Sequence, residues 1–248
     1  MLFFQKEVRW NIKNNMTKNL VAVITVRAGS QRVKNKNFKK FAGENLLIHK
    51  IKLLKKIKKI DDIIINSDSN KAMKIAKDYK VTFQKREKYF ASSKCTNSEF
   101  WSHIGETTNS NFIMFTDCTN PLIKKQTYIK IINSFESAKS KYDSINTVSD
   151  VKEFLYLNKK PLNFNPKKAP NSQNLPNVIK LNFAINILST KLMSKKKSLV
   201  GNKPLFFKIN EIEGFDINTD LEFKFADFLF RKNIWKPFLK NLNIHHMK

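Results

Sequence analysis

The fold of this chain is decided by residues 20–37, LVAVITVRAGSQRVKNKN, where an apolar run enters a basic loop. The apolar half is continuous and β-branched, which is typical of a fully buried strand. Gly29 would let the backbone turn tightly and approach a ligand, and the N–H groups around it can form an anion-binding nest. Arg27 offers a planar fork, Lys36 a point charge and Asn37 an amide suited to a base edge or ribose. The loop is a candidate phosphate cradle, with a plain basic turn as the alternative.

Strand-like and helix-like segments alternate four times downstream of this loop. Strands are expected at 62–69, 111–117 and 144–150, and helices at 46–60, from residue 72, at 97–106 and at 126–138. This alternation predicts a Rossmann-like three-layer α/β/α fold with a mostly parallel central sheet. Ligands of such sheets bind at the carboxyl ends of the strands, so the polar turns after the first three strands are the candidate site.

The chain divides into a domain, an insertion and two ends. We expect an N-terminal extension at 1–17, a catalytic domain at 18–232 and a C-terminal tail at 233–248. Residues 151–177, rich in Pro, Asn and Lys, are expected to form an insertion or arm. A strand at 178–189 should return to the core, and a further strand, a loop and a final helix with Thr219 as N-cap should follow from 204.

The composition is strongly basic, with a formal net charge of +27 over 248 residues. Such a balance attracts polyanions, so a nucleic-acid-binding protein is one alternative. No RRM, helix-turn-helix or zinc-finger pattern supports it, and the lysines are spread along the whole chain. Two cysteines and no apolar run near 18 residues predict a cytoplasmic protein without a membrane segment.

The order Arg-x-Gly-Ser-x-Arg-x-x-x-Lys-Asn in the opening loop resembles the motif of the CMP–sialic acid synthetase-like (acylneuraminate and nonulosonate) cytidylyltransferases. Later segments resemble the family in the same order, over roughly residues 18–230. These segments are FAGENLLIHKI (41–51), DIIINSDSNKAMKIA (62–76), KREKYFASSKCTNSEF (85–100), FIMFTDCTNPLI (112–123), NSQNLPNVIKLNFAI (171–185) and GFDINTDLEFKFAD (214–227).

This resemblance implies a Mg²⁺-dependent enzyme that joins CTP to an acidic sugar, giving a CMP-sugar and pyrophosphate. It implies a homodimer formed through the arm, with CTP and the sugar acid as partners and no nucleic acid. The residues carried over are catalytic Arg27 and Lys36; nucleotide-binding Arg27, Ala28, Gly29, Ser30, Lys36, Asn37 and Arg86; substrate-binding Asp117, Thr119, Gln173, Asn182, Phe206 and Phe207; and metal-binding Asp216 and Asn218.

The sequence departs from the family pattern mainly at the acceptor end. Asn218 stands where the family has a second carboxylate, and Asp117 stands where it has Gln. A catalytically weak or silent nucleotide-binding relative therefore stays an alternative. Asp68 is either a supporting residue of the site or, with Ser67, a helix N-cap.

Overall fold

The structure, a computed structural model, describes residues 18–29 and 33–232. The strands are β1 (Lys18–Val26), β2 (Lys40–Phe41), β3 (Glu44–Asn45), β4 (Asp62–Ser67), β5 (Thr82–Lys85), β6 (Ser110–Phe115), β7 (Ser144–Val151), β8 (Tyr156–Leu157), β9 (Lys160–Pro161), β10 (Val178–Ser189) and β11 (Pro204–Lys208). The helices are α1 (Leu46–Leu54), α2 (Asn70–Asp78), α3 (Lys88–Ala91), α4 (Asn97–Thr107), α5 (Lys125–Ala138), α6 (Thr190–Lys196) and α7 (Asp220–Lys232). The predicted extension, tail and Ser30 lie outside the described residues.

Seven strands form one sheet in the order β11-β7-β10-β6-β1-β4-β5. β1 lies between β4 and β6 and is parallel to both, and β11 is parallel to β7. The exception is β10, which is antiparallel to β6 and to β7. The predicted mixed α/β fold with a mostly parallel sheet is confirmed.

The two faces of β1 bury two separate sets of apolar side chains. Ala22 and Ile24 belong to a core with α1, α2, α5 and α7, whereas Val21 and Val23 belong to a smaller core with α4 and α6. Alternate residues of a strand point to opposite faces, so the continuous apolar run supplies both cores. This packing forms the three layers expected from the sequence.

The first helix is shorter than predicted, because α1 ends at Leu54 and not at residue 60. Beyond it, the Ile57 N–H donates to the Leu54 carbonyl at 2.9 Å, a three-residue turn that replaces the helical bond. Ile57 is thereby brought into the core. The apolar spacing thus continues to Ile57 although the α-helix itself ends at Leu54.

Two capping predictions had different outcomes. Thr219 caps α7 as expected, since its hydroxyl accepts the Glu222 N–H at 3.2 Å. The N-cap of α2 is Ser69, whose hydroxyl accepts from the Ala72 N–H, so the alternative that Asp68 caps this helix is wrong. Asp68 is left free to act elsewhere.

Within residues 18–29 and 33–232, no helix combines the length and the apolar character needed to cross a bilayer.

Between β7 and β10, the predicted arm contains the β8–β9 hairpin and two single 3₁₀ turns, Pro166–Lys168 and Ser172–Asn174. It is therefore built of short local elements.

Candidate active site

The loop that follows β1 is attached to the end of the neighbouring strand β4. The Ala28 N–H donates to Asp68 Oδ1 at 2.8 Å, so a carboxylate after β4 holds the backbone of the loop. Among the described residues other than its chain neighbours, none lies within 4 Å of a Cβ built on Gly29, and the φ of Gly29 is not left-handed. The turn expected after Gly29 runs through residues 30–32, outside the described part of the chain, so it stays a prediction.

Lys36 and Asn37 lie on a short 3₁₀ helix, Lys36–Phe38, that reaches two other segments of the site. The Lys36 ammonium donates to the Ile217 carbonyl. Asn37 is buried, and its Oδ1 accepts from the Cys118 thiol at 3.3 Å. The basic loop, the turn after β6 and the segment before α7 are thus joined.

Arg86 is buried, and its guanidinium hydrogen-bonds to Asn66 near the end of β4. Its Nε donates to Asn66 Oδ1 at 2.7 Å, and Nη2 donates to the Asn66 carbonyl at 3.0 Å. The guanidinium also lies 4.2 Å from the Phe100 ring centroid. Burial lowers the pKa of Arg86 to about 10, which leaves it charged, and the charges of Asp68 and Asp117 act against this shift. Arg86 supports the turn after β4 and adds positive charge beneath it.

The turn after β6 brings Asp117 and Thr119 to the same edge of the sheet. Thr25 donates its hydroxyl to Asp117 Oδ1 at 3.1 Å. The Ile217 N–H donates to the Thr119 carbonyl at 3.0 Å. Burial and the nearby Asp216 raise the pKa of Asp117 to about 6, although the hydrogen bond from Thr25 opposes the shift.

Asp216 and Asn218 lie on the segment that leads into α7. Asn218 Nδ2 donates to Asp216 Oδ2 at 3.0 Å, and the Asn218 N–H donates to Glu222 Oε2 at 2.6 Å. Within the described residues, no group of three or more His, Cys, Asp or Glu side chains could hold a metal. The Asp216 carboxylate, with the Asn218 amide beside it, is nevertheless compatible with Mg²⁺, which often takes only one or two carboxylates besides waters and substrate phosphates.

Lys50 is a charged residue below this edge that the sequence analysis did not single out. It is 2 % exposed, and its ammonium donates to Tyr128 Oη at 2.7 Å and to the Asn120 carbonyl at 3.2 Å. Tyr128 Oη in turn shares a 2.7 Å hydrogen bond with Thr116 Oγ1. Lys50 follows Leu46 by four residues, so both lie on the apolar face of α1. This spacing is the signal in the sequence that could have indicated that Lys50 is buried.

Asn182 is buried within the sheet, where the pairing of β10 with β7 shifts register. Its Oδ1 accepts from Thr147 Oγ1 at 2.6 Å and from the Ala184 N–H at 3.2 Å, and its Nδ2 donates to Ser149 Oγ at 3.0 Å. Internal hydrogen bonds thus engage both ends of this amide. Its predicted contact with substrate stays a prediction, beside a visible structural role.

We expect the substitution Asn182→Ala to lower the free energy of unfolding by about 2 kcal/mol, because three buried partners lose their hydrogen bonds. Urea titration followed by circular dichroism measures this loss. The exposed Asn133 of α5 provides the control, since Asn133→Ala should change stability by less than about 0.5 kcal/mol. Unchanged stability with a raised acceptor KM would instead assign Asn182 to the substrate.

Three predicted substrate residues lie apart from this cluster. Gln173 is exposed on the second 3₁₀ turn of the arm. Phe206 is 43 % exposed on β11, whose place in the sheet is four strands from β1. Phe207 is half-buried, with the Lys130 ammonium 5.5 Å from its ring centroid. Within the described residues, no hydrogen bond or ring contact connects these three side chains to the loop after β1.

A basic loop after the first strand, with carboxylates at neighbouring strand ends of a mostly parallel sheet, defines the nucleotide-binding class of α/β proteins. The chain belongs to the cytidylyltransferase family, whose family model matches residues 21–175. The resemblance found in the sequence is confirmed, and so is the prediction of a CTP-dependent cytidylyltransferase.

Two relatives match most of the chain. The post-translational flagellin modification protein B of Campylobacter coli is 25% identical over 231 residues, covering 86% of this chain and 95% of that protein. The CMP-N,N'-diacetyllegionaminic acid synthase of Campylobacter jejuni subsp. jejuni is 23% identical over 229 residues, covering 85% and 94%.

Solved structures share the fold at low sequence identity. The CMP:2-keto-3-deoxy-manno-octonic acid synthetase complexed with CTP has a TM-score of 0.64 at 9% identity, covering 87% of this chain and 100% of that one. The 4-diphosphocytidyl-2C-methyl-D-erythritol synthase of Anaerococcus prevotii has a TM-score of 0.62 at 15% identity, covering 87% and 97%. These similarities show the fold alone.

Proposed function

We propose that this protein transfers CMP from CTP to an acidic sugar of the nonulosonic acid type and releases pyrophosphate. The observation that carries the proposal is the convergence of Lys36, Asp117 and Asp216 at the carboxyl ends of β1 and β6, through the contacts described above. The named activity of the legionaminic acid relative, matched over nearly its whole length, supports the choice of acceptor.

The reaction forms one phosphorus–oxygen bond and breaks another. The acceptor hydroxyl attacks the α-phosphorus of CTP in line, its proton is lost, and pyrophosphate leaves with the electrons of the broken bond. In this proposal Arg27 and Lys36 bind the phosphates, where their charge offsets the charge that develops on the leaving group. The catalytic contribution of the protein is positioning and electrostatic stabilisation, as is usual for transfers at phosphorus.

The remaining residues of the loop bind the nucleotide in this proposal. Gly29 and Ser30 would bind the phosphates through their backbone N–H groups, and Asn37 would bind the nucleoside. Ala28, whose N–H donates to Asp68, would hold the start of this loop in position. Arg86 acts through the turn after β4, because its guanidinium bonds are made to Asn66.

The metal in this proposal is Mg²⁺, bound by Asp216 with Asn218 beside it. Bound Mg²⁺ would neutralise phosphate charge and orient the triphosphate. Asn218 Nδ2 donates to Asp216 Oδ2 and so fixes the orientation of this carboxylate before any ion binds.

The acceptor would lie toward Asp117, Thr119 and Asn182, with Gln173, Phe206 and Phe207 as the more distant predicted contacts. Gln173 and Phe206 are exposed in this chain, so they would meet the sugar from the arm or from a second subunit.

The homodimer is proposed from the exposed apolar surface of the arm. Its hairpin region presents large apolar side chains, namely Phe154, Tyr156, Leu157 and Leu162. Contiguous exposed apolar side chains are typical of protein interfaces.

Both cysteines in the chain are free thiols, which agrees with a reducing cytoplasmic location.

Pyrophosphate release from CTP and Mg²⁺, measured with a panel of sugar acids, tests the proposed function. We expect release with at least one nonulosonic acid and none with neutral sugars. CTP binding without release for any acceptor would favour a silent relative, the alternative that Asn218 suggests. Tight, salt-sensitive DNA binding without CTP binding would reject the proposal.

A further inference from the structure

We propose that Lys50 is a positioning residue for the acceptor: its buried ammonium holds both ends of the turn after β6, which carries Asp117 and Thr119. This turn comprises residues 116–120. The inference rests on the proposed function, because it concerns the placing of the sugar acid in that reaction. Lys50 touches no substrate in this proposal and acts only through the turn.

The ammonium of Lys50 reaches the two ends of the turn by different routes. At the end nearer α5 it donates directly to the Asn120 carbonyl at 3.2 Å. At the end nearer β6 it donates to Tyr128 Oη at 2.7 Å, and this hydroxyl lies 2.7 Å from Thr116 Oγ1. One side chain of α1, with one side chain of α5, therefore connects both ends of the turn.

The direction of these hydrogen bonds requires a donor at position 50. Thr116 Oγ1 gives its proton to the Ala184 carbonyl at 2.6 Å, so Tyr128 must be the donor to Thr116. Each hydroxyl has only one proton, and Tyr128 Oη can therefore only accept from its other neighbour. The ammonium of Lys50 supplies that proton, and hydrogen bonds aligned in one direction strengthen each other.

The residues between the two ends are those predicted to contact the acceptor. Thr116, Cys118 and Asn120 are buried, whereas Asp117 and Thr119 are half-buried at the edge of the sheet. Asn120 also donates its Nδ2 to the carbonyl of Asn182 at 3.1 Å, which connects the turn to a third predicted acceptor residue. Movement of the ends of the turn would therefore displace the acceptor contacts.

The stability of the fold does not by itself explain a lysine at this place. Lys50 is 2 % exposed, and within the described residues no carboxylate lies at ion-pair distance from its ammonium. Burying a charge without such a partner is costly, and an apolar side chain of similar volume would avoid the cost. The charge instead acts on the edge of the sheet, where it opposes the raised pKa of Asp117.

Steady-state pyrophosphate release by Lys50→Met tests this assignment, with CTP and the active nonulosonic acid varied separately. Methionine keeps most of the stem and removes the ammonium. We expect KM for the sugar acid to rise at least about tenfold, since small misplacements at a reacting centre have large effects. KM for CTP should stay within about threefold, because the loop after β1 does not contact Lys50. Equal changes in both KM values would overturn the assignment.

The matched control is Lys52→Met, because Lys52 lies on the same helix but is exposed and paired with Glu44. Its kinetics should equal those of the unsubstituted protein. Tyr128→Phe removes only the hydroxyl between Lys50 and Thr116, and it should also raise KM for the sugar acid. The double variant should stay within about twofold of Lys50→Met, because members of one hydrogen-bond network are not additive. Fully multiplied effects would show that the two residues act independently.

Alkylation of Cys118 by iodoacetamide reports the turn without turnover. The chain has two cysteines, so Cys118 is the single thiol in a Cys95→Ser background. We expect Lys50→Met to raise the alkylation rate at least about tenfold by local opening, with a urea midpoint that changes little. The lost charge cannot cause this increase, because Lys50 lowers the pKa of Cys118 and its removal would leave less thiolate. A rate that rises only as global stability falls would make Lys50 a structural residue and overturn the inference.

These measurements separate the inference from the proposed function. A protein whose turn opens in Lys50→Met, but which releases no pyrophosphate with any sugar acid, would keep the support of the turn and lose the reaction. A protein that releases pyrophosphate, with unchanged alkylation and unchanged KM for the sugar acid in Lys50→Met, would keep the reaction and lose the inference. Circular dichroism shows whether each variant is folded, and Tyr128→Phe provides the same readouts if Lys50→Met is not.

Discussion

Replacing Lys36 by Met is expected to lower kcat/KM for CTP about 100- to 1000-fold, the loss typical of removing one preorganised donor from a reacting phosphate or carbonyl. Met keeps most of the apolar stem and removes the charge. In the structure the ammonium is held by the Ile217 carbonyl, one residue from Asp216, and its charge acts on Asp117. Its position thus joins the basic loop to the acidic segments.

Steady-state pyrophosphate release at varied CTP measures this effect. Lys34→Met is the matched control, because Lys34 is an exposed lysine of the same loop and carries the same charge. It should retain activity within about threefold, as expected of a screened surface charge. Equal kinetics for Lys36→Met and the unsubstituted protein would remove the loop from the mechanism.

Replacing Gly105 by Ala is expected to lower the free energy of unfolding by about 2 kcal/mol or more, the range for overpacking. Gly105 lies in α4 where this helix meets α6. An added Cβ would lie 2.6 Å from the Ser194 backbone nitrogen and 2.8 Å from the Thr190 carbonyl oxygen. Alanine is the better helix former by up to about 1 kcal/mol, but two backbones would have to separate to admit it.

Chemical denaturation of Gly105→Ala beside Gly29→Ala checks this reasoning. A Cβ at Gly29 would meet no atom within 4 Å among the described residues beyond its chain neighbours, so Gly29→Ala should keep the stability of the unsubstituted protein. We expect it to weaken CTP binding instead, because the added methyl group would stand where the proposed phosphates approach the backbone. Comparable stability for the two variants would contradict the close packing of α4 on α6.

The apolar pattern predicted most of the sheet and its helices. The continuous run before Arg27 became β1, with one core on each face, and 178–189 became β10 over the same residues. The apolar pattern could not predict strand direction, because a buried strand has the same pattern whether it is parallel or antiparallel to its neighbours. Only the pairing with β6 and β7 showed that β10 is antiparallel.

Helix ends and short helices were predicted less well. α1 ends at Leu54 and is followed by a three-residue turn to Ile57, although the apolar spacing continues to this residue. The short helix α6 follows β10 directly, where the sequence analysis had placed no helix. Such features depend on contacts distant in sequence, and local spacing carries no record of them.

The motifs predicted which residues belong to the nucleotide end of the site but not what each side chain does. Asp68, expected as a support or a cap, holds the Ala28 N–H. Arg86 was expected to bind the nucleotide, but its guanidinium donates hydrogen bonds to Asn66. Lys50 is not among the residues that the motifs predicted, although its helical spacing placed it on the apolar face of α1.

The sequence by itself determined the family and the basic loop, because the order of residues from Arg27 to Asn37 is a local property of the chain. Only the tertiary structure decided that Asp117 and Asp216 share one edge of the sheet. They are 99 positions apart in the sequence, and their segments are joined by the Ile217 N–H, which donates to the Thr119 carbonyl, and by Asn120 Nδ2, which donates to the Phe215 carbonyl. Contacts between residues this far apart in sequence form only when the chain folds, so the local order of residues carries no signal of them.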